Sequence, residues 1–268
     1  MTAVTLRHAT NAVVVAHPDD EALWLSSVVG SVERIVFGFG AVFDDPRKSQ
    51  ARRQAVAALP LSGIVNLEIP ESGVHWKSYQ ARPELTQSGV RIFESAVRER
   101  YESNYARLLE GLRASLTGCR DVYTHNPWGE YGHPEHIQVY SAVTALQSEL
   151  GYTVWFSNYV GARNWTFVKG LAGRLSWARR IVVKPDLVTA RALMAVYRHY
   201  GAWTYPSGHR WPVHEVMYTQ PLRSSADRRH QFTSEWLLDV TRLRWWSPPW
   251  RDPRRHLSPL DCDHGLPP

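Results

Sequence analysis

The fold is decided by the stretch Asn11-Ala-Val-Val-Val-Ala-His-Pro-Asp-Asp-Glu21. It begins with an apolar run over Asn11 to Ala16, which is typical of a strand buried on both faces of a parallel sheet. A proline and three acidic residues follow, and acidic side chains favour the N-terminus of a helix. The stretch therefore predicts a buried strand that passes directly into a helix through a polar turn.

Further apolar runs alternate with segments of helical spacing. We predict the remaining strands over residues 34–39, 64–69, 121–125 and 152–157, and helices over residues 47–59, 90–116, 135–149 and 186–199. The alternation predicts an α/β fold with a doubly wound, mostly parallel, Rossmann-like sheet in the order 3-2-1-4-5 and helices on both faces. Ligands bind such sheets beyond the strand C-termini where the winding reverses. The loops that begin at His17 and Asn126 would meet there.

The composition is that of an ordinary globular protein. The chain has 268 residues, of which 44% are hydrophobic and 21% are charged, and its only cysteines are Cys119 and Cys262. These values exclude a disordered chain and a disulfide framework. The N-terminus lacks the pattern of a signal peptide, and no apolar run reaches the roughly 18 residues of a membrane span. We therefore expect a soluble, cytoplasmic protein without stable membrane insertion.

Positive charge and tryptophan are concentrated in the second half of the chain. The net charge is +6, but residues 163–210 hold nine Lys or Arg and one acid, which is +8 and leaves −2 for the rest. Nine of the 12 Trp lie at or after Trp155. A solvated basic face and ordinary packing account for both observations. The alternatives are an anionic ligand or surface, a wall of Trp for a sugar or aromatic ligand, and a segment over residues 164–180 that forms a lid or a membrane-surface patch, of which we favour a lid or pocket wall.

The chain is predicted to form one domain over residues 1–268. Residues 1–160 would form the α/β core, and residues 161–268 a substrate-pocket extension with a tail that is rich in proline from Ser247 onward. The tail contains Asp261-Cys-Asp-His264, whose residue types bind metals, but no second motif accompanies it. We expect no metal in the tail.

Two polar motifs with the same spacing carry the chemistry. His17 and Asp20 follow the first predicted strand, and His133 and His136 follow the fourth. A catalytic zinc site takes three protein ligands and leaves one position for water, and His17, Asp20 and His136 fit that number. Asp19 adjoins a ligand but points elsewhere, so it can act as a general base in hydrolysis. Each motif alone arises often by chance, and their meeting at one sheet edge is what favours a metal site.

The two motifs also resemble those of a known family. Ala16-His-Pro-Asp-Asp-Glu21 resembles the A-H-P-D-D-E signature of the PIG-L/LmbE-like zinc-dependent N-deacetylases, and Tyr131-Gly-His-Pro-Glu-His136 is similar to the family's H-P-D-H signature. The resemblance covers roughly residues 10–160. The family includes deacetylases of GlcNAc-phosphatidylinositol, of thiol-cofactor precursors and of antibiotic amino sugars. The resemblance implies hydrolysis of the N-acetyl group of an amino sugar, GlcNAc-bearing, to acetate and a free amine.

The resemblance further implies a metal centre. His17, Asp20 and His136 would bind zinc or another divalent transition metal. Asp19 would be the general base that takes the proton of the attacking water. These residues occupy the matching positions of the two motifs.

The remaining matches imply residues that touch the substrate or support the ligands. His133 would stabilise the oxyanion and pass a proton to the leaving amine, with Tyr131 nearby. Glu135, which replaces the commoner Asp, would orient His133, and Glu71 stands where relatives carry an Asp that touches the sugar. Relatives carry an Arg followed by a Glu on the helix after the second strand. Residues 47–51 contain no acid, so the substrate contacts of that helix cannot be transferred.

Other functions stay open at this point. The same metal chemistry would serve an amidase that acts on a thiol conjugate or another amide. A basic chain with interleaved Arg and aromatic residues is also compatible with a nucleic-acid-binding module. A nucleotide-binding role is disfavoured because the first strand-to-helix turn has no glycine-rich phosphate loop. We expect a small-molecule or glycoconjugate amino-sugar substrate, such as an antibiotic intermediate or a pseudodisaccharide, and no nucleic acid.

Overall fold

The structure is a computed structural model. It describes residues 10–75, 84–161, 164–172, 175–205, 209–221, 230–231 and 237–239. The predicted proline-rich tail, with Cys262 and its acidic neighbours, lies outside the described residues, as do Trp236 and Arg163.

The described strands and helices follow one another along the chain. In chain order the strands are β1 (Thr10–Val15), β2 (Arg34–Phe37), β3 (Ile64–Asn66), β4 (Leu85–Thr86), β5 (Gly89–Val90), β6 (Cys119–Thr124), β7 (Thr153–Ser157), β8 (Tyr159–Val160), β9 (Ser176–Trp177), β10 (Arg180–Val183), β11 (Glu215–Thr219), β12 (His230–Gln231) and β13 (Leu238–Asp239). The helices are α1 (Asp20–Trp24), α2 (Pro46–Ala58), α3 (Ser95–Leu116), α4 (Pro134–Leu150), α5 (Trp165–Ala172) and α6 (Leu187–His199). No described helix is both long enough and apolar enough to span a bilayer.

The centre of the molecule is a seven-stranded sheet in the order β10-β11-β7-β6-β1-β2-β3. The strands β3, β2, β1, β6 and β7 are mutually parallel, which confirms the predicted order 3-2-1-4-5. The antiparallel strands β11 and β10 extend the sheet beyond β7. They come from the second half of the chain, where the apolar runs are short and interrupted, and they were not predicted.

The predicted helices are confirmed apart from the start of α3. The helical spacing over residues 90–116 predicts a helix from residue 90, but α3 begins at Ser95. Val90 instead pairs with Leu85 in a hairpin. The turn of that hairpin depends on Gly89, whose φ of +121° lies outside the range of a helix and is accessible mainly to glycine.

Alternate residues of β1 face opposite cores, as expected for a strand buried on both sides. Val13 and Val15 pack with residues of α1, α2 and α6. Ala12 and Val14 pack on the other side with Leu108 of α3 and with α4. Since β1 and β6 are neighbours, their C-terminal loops lie side by side at one edge of the sheet.

The second half of the chain packs into the same core as the first. Leu193 and Tyr197 of α6 and Met217 of β11 are fully buried in the cluster that contains Val13 and Trp24. The α/β core and the extension therefore share one apolar interior.

Candidate active site

The turn after β1 brings His17 and Asp20 together. The amide of Asp20 donates to the carbonyl oxygen of His17 at 3.2 Å, and the amide of His17 donates to Asp20 Oδ2 at 2.8 Å. Between them, Asp19 adopts φ 111° and ψ −22°, a left-handed conformation that is rare for a residue other than glycine. Such strain costs on the order of 1–3 kcal/mol and is concentrated at functional sites.

The second loop runs from β6 to the start of α4. His133 is the N-cap of α4, and its Nδ1 accepts the amide hydrogen of Glu135 at 3.3 Å. His136 lies in the first turn of the helix and is fully buried. Its ring reaches the first loop, so the two motifs meet as predicted.

Two predicted histidine ligands contact the same oxygen of Asp20 where the two loops meet. Nδ1 of His17 is 3.2 Å from Oδ2 of Asp20, and Nε2 of His136 is 3.3 Å from the same oxygen. A tetrahedral zinc ion with bonds of roughly 2.0–2.1 Å separates neighbouring ligand atoms by about 3.3 Å. Within the described part of the chain, buried Nε2 of His136 has no hydrogen-bond partner. The donor types, these two distances and the absence of a well-directed hydrogen bond to Nε2 of His136 are compatible with a divalent metal ion. Within the described residues, three groups of side chains are close enough to share an ion, and each contains at least one predicted ligand: His17, His133 and His136; Asp20, His125 and His136; and His17, Glu71 and Glu135.

In both His17 and His136, one ring nitrogen faces Asp20 and the other, which we call the outward nitrogen, contacts a glutamate. Nε2 of His17 is 2.8 Å from Oε2 of Glu135, and Nδ1 of His136 is 2.6 Å from Oε2 of Glu130. Metal-binding histidines commonly bind a carboxylate in this way, which fixes the ring and the tautomer. Glu130 was not identified from the sequence, because nothing local marks an acid six residues before a ligand as its partner.

The Glu135 carboxylate differs from its predicted role. We expected it to orient His133, but it contacts His17, and its Oε1 accepts hydrogen bonds from the amide and hydroxyl of Ser72 at 2.6 and 2.7 Å. The backbone amide of Glu135, and not its carboxylate, contacts His133. The glutamate side chain is one methylene longer than aspartate, which gives it the reach to His17.

A further histidine, His125, lies directly behind His136. The two rings are stacked with centroids 3.9 Å apart. His125, Asp20 and His136 are close enough to share an ion. However, Nε2 of His125 accepts the amide hydrogen of Ala16 at 2.9 Å, and its Nδ1 lies 3.0 Å from Glu130. His125 thus supports the ligands, and its position directly after β6 is the signal that would have found it.

The electrostatics of the cluster favour a cation. Burial alone would lower the pKa of His17, but hydrogen bonds to Asp20 and Glu135 outweigh it and raise the pKa to about 10. Burial opposes ionisation of Asp20, yet the neighbouring histidines His136, His125 and His17 hold the pKa of this carboxyl well below its usual range. The carboxylates therefore attract positive charge, which a proton or a metal ion can supply.

Asp19 is a buried carboxylate beside the ligand cluster. Its Oδ2 accepts hydrogen bonds from the amide and the hydroxyl of Thr204 at 2.9 and 2.8 Å. Burial, together with the charge of Asp20, raises the pKa of Asp19 to about 7, although the bonds from Thr204 act in the opposite direction. A base with a pKa near the working pH is well matched to proton transfer. Thr204 was not predicted, because it lies 185 residues further along the chain.

His133 and Tyr131 offer neutral donors next to the ligands. The His133 ring centroid is 4.8 Å from that of His17, and the Tyr131 centroid is 5.4 Å from that of His136. Burial and the neighbouring histidines hold the pKa of His133 well below its usual range. Burial and the charge of Asp20 raise the pKa of the Tyr131 phenol well above its usual value. Both groups can donate a hydrogen bond without carrying charge.

These residues open into a cavity of about 170 Å³. It is lined by His17, Asp19, Asp20, Leu23, Val42, Lys48, Arg52, Glu71, Tyr131, His133, Thr204 and Tyr205. The predicted Glu71 is among them, and its Oε1 accepts a hydrogen bond from Nη1 of Arg52 at 2.6 Å. Arg52 comes from α2, the helix whose substrate contacts could not be transferred. It was missed because it lies beyond residues 47–51.

The second half of the chain, from Trp155 onward, is basic and rich in tryptophan, which suggested a ligand-binding wall or a lid. Its described residues contribute little to the cavity. The described part of residues 164–180 contributes no side chain to the lining, and Phe167 and Val168 of α5 are buried in the core. Arg179 and Arg198 lie over the rings of Trp155 and Trp203. Among the residues of this half that the structure describes, Thr204 and Tyr205 are the ones that line the cavity, and the contacts of Phe167, Val168, Arg179 and Arg198 are packing contacts.

The fold and these loops define an α/β protein with a candidate metal-dependent hydrolytic centre. Neither a family profile nor a curated protein matches the chain by sequence. Among solved structures, a deacetylase–bog complex from the biosynthesis pathway of teicoplanin aligns with a TM-score of 0.51 at 13% identity, over 81% of this chain and 100% of that chain. The zinc inhibited form of teicoplanin deacetylase Orf2 aligns with a TM-score of 0.51 at 11% identity and the same coverage. The chain therefore has the fold of these deacetylases.

Proposed function

We propose that the protein is a zinc-dependent N-deacetylase that hydrolyses the N-acetyl group of an amino sugar of the GlcNAc type. The observation that carries the proposal is that Oδ2 of Asp20 lies 3.2 Å from Nδ1 of His17 and 3.3 Å from Nε2 of His136, with the carboxylate of Asp19 lining the same cavity. The fold shared with two deacetylase structures from the teicoplanin pathway, one of them a zinc inhibited form, supports the reaction type and the metal. Their place in teicoplanin biosynthesis supports a role in natural-product formation.

The metal would be held by His17, Asp20 and His136. When bound, zinc acidifies water and polarises an amide carbonyl, which are the two requirements of amide hydrolysis. Glu135 and Glu130 keep both imidazoles turned toward the ion by binding their outward nitrogens. An ion held in this way also balances the negative charge of the surrounding carboxylates.

Asp19 is the proton acceptor of the proposed reaction. The attacking water forms a bond to the carbonyl carbon while Asp19 takes its proton. The bond between carbon and nitrogen then breaks, and the nitrogen receives the proton that Asp19 took from the water. The products are acetate and the free amine.

His133 and Tyr131 stabilise the negative charge that develops on the carbonyl oxygen. Nδ1 of His133 is occupied as an acceptor, so Nε2 carries the hydrogen and can donate it. The phenol of Tyr131 is protonated at neutral pH, as an ordinary tyrosine is, and burial moves its pKa further above neutrality. Donors fixed before the reaction stabilise such charge without reorganisation, and losing one typically lowers kcat by about 10²–10³-fold.

The cavity is suited to a single sugar residue with the rest of the substrate outside. Its volume of about 170 Å³ is small, and Glu71 and Arg52 offer hydrogen-bonding groups in the lining. A carboxylate and a guanidinium are suited to sugar hydroxyl groups, which both donate and accept. We infer a glycoconjugate substrate whose N-acetylated sugar enters the cavity.

The test is an acetate-release assay on N-acetylglucosaminyl compounds, including a glycopeptide that carries GlcNAc. The metal-loaded protein should release acetate and the free amine in equal amounts. Removal of the metal by a chelator should abolish release, and added zinc should restore it. Release that survives complete metal removal would contradict the mechanism. Release of an acid other than acetate would show that the protein hydrolyses an amide other than an N-acetyl group.

Glu130→Gln should weaken metal binding by about 10–100-fold, because a neutral amide no longer fixes the His136 ring as a carboxylate does. Chelator competition at equilibrium measures the change. Glu149→Gln is the matched control, since Glu149 is an exposed glutamate paired with Arg113 on the surface. If Glu130→Gln binds the metal as tightly as the wild type does, Glu130 does not support the metal centre.

A further inference from the structure

The loop that follows α6 is hydrogen-bonded to Asp19 in the turn after β1. The amide and Oγ1 of Thr204 both donate to Asp19 Oδ2, at 2.9 and 2.8 Å. Both bonds go to the same oxygen, so Oδ1 of Asp19 receives neither of them. The carboxylate is buried, so its orientation is set by protein contacts.

The backbone of the same turn is hydrogen-bonded to a different residue, Glu21. Glu21 accepts the amide hydrogen of Asp19 at 3.1 Å, and its other oxygen accepts the hydroxyl of Tyr197 at 2.7 Å. Glu21 is fully buried and packed at the end of α6 through Tyr197. The unusual backbone of Asp19 is thus held by Glu21, which leaves the side-chain direction to Thr204.

We propose that Thr204 is a positioning residue that turns the Asp19 carboxylate so that Oδ1 faces the reacting water. The inference rests on the proposed function, in which Asp19 is the base. Two hydrogen bonds to one oxygen restrict rotation about the bond between Cβ and Cγ. Without the hydroxyl, the remaining amide bond permits the carboxylate to rotate away from the water.

The test compares Thr204→Val with Thr204→Ser in the metal-loaded protein. Valine has the shape of threonine without the hydroxyl, and serine keeps the hydroxyl. Thr204→Val should lower kcat by about 10–100-fold with KM and metal content nearly unchanged, since small misplacements of catalytic groups cost this much. Thr204→Ser should return kcat to within a few-fold of the wild type. Thr144→Val, which removes a hydroxyl bond to the Tyr140 carbonyl in α4, is the matched control and should leave kcat unchanged.

A double-mutant cycle shows whether Thr204 acts through Asp19. Thr204→Val should have no further effect on kcat once Asp19 has been replaced by alanine. An equal loss in both backgrounds would overturn the inference, as would a wild-type kcat for Thr204→Val.

A crystal structure of metal-loaded Thr204→Val separates this inference from the proposed function. The inference expects the Asp19 carboxylate to rotate, whatever the substrate is. If the wild type releases no acetate, the proposed function fails, but the carboxylate rotation still decides the role of Thr204. An unmoved carboxylate overturns the positioning role even in an active enzyme.

Discussion

Asp19→Ala should keep its metal and lose most of its turnover. Asp19 lies outside the trio of ligand atoms, so metal content should match the wild type. A positioned general base contributes typically about 10²–10⁴-fold to the rate, and kcat should fall by that factor with a smaller change in KM. Metal analysis and acetate release on the same preparation measure both quantities.

Backbone strain at Asp19 requires its own control. Alanine in a left-handed conformation is strained, so a loss of stability alone could lower the activity. Asp44 is an exposed aspartate that also has a positive φ, +56°, and it does not line the cavity, so Asp44→Ala tests what alanine at positive φ does on its own. Asp44→Ala should retain full turnover. Full turnover of Asp19→Ala would show that another group takes the proton.

His17→Ala should lose both the metal and the activity. The substitution removes Nδ1 from the ligand trio and leaves Glu135 facing a gap. With two protein ligands remaining, the bound metal should fall to a small fraction of the wild-type content after gel filtration, and acetate release should fall to background. Metal content distinguishes the two variants. Asp19→Ala should keep the metal because it lacks only the proposed base, whereas His17→Ala should lose the metal because it lacks a proposed ligand.

His199→Ala is the control for His17→Ala. His199 is an exposed histidine in the last turn of α6, and its loss should change neither metal content nor turnover. If His17→Ala retains the metal content of the wild type, His17 is not a metal ligand. Residual metal without activity would point to a site that uses His125 in its place.

Local patterns predicted the parallel part of the fold and the centre of the site. The apolar run of β1 and the polar turn after it are contiguous, so strand, turn and motif could be predicted together. The five parallel strands were predicted from the alternation, and the order 3-2-1-4-5 was chosen as a common order of doubly wound sheets, which the structure confirms. His17, Asp20 and His136 also met as expected, because β1 and β6 are neighbours and end at the same edge.

Contacts between distant parts of the chain could not be predicted. Thr204 reaches Asp19 across 185 residues, and no periodicity marks it. The strands β10 and β11 are short and are ordered by pairing with β7, which is a tertiary contact. Glu135 was predicted as a supporting residue, but which histidine it contacts depends on side-chain length and on Ser72, and neither follows from a motif.

Thr204 and Tyr205 are consecutive residues with different tasks. Thr204 is bonded to the carboxylate of Asp19, while the ring of Tyr205 forms part of the cavity wall. The Thr204 amide that donates to Asp19 is directly followed by Tyr205 in the chain, so a substitution at Tyr205 that reshapes the cavity acts next to this hydrogen bond. Under the proposed function, the residue that shapes the cavity and the residue that orients the base are therefore neighbours in the chain, and we expect variants selected at Tyr205 for a new substrate to change kcat as well as KM.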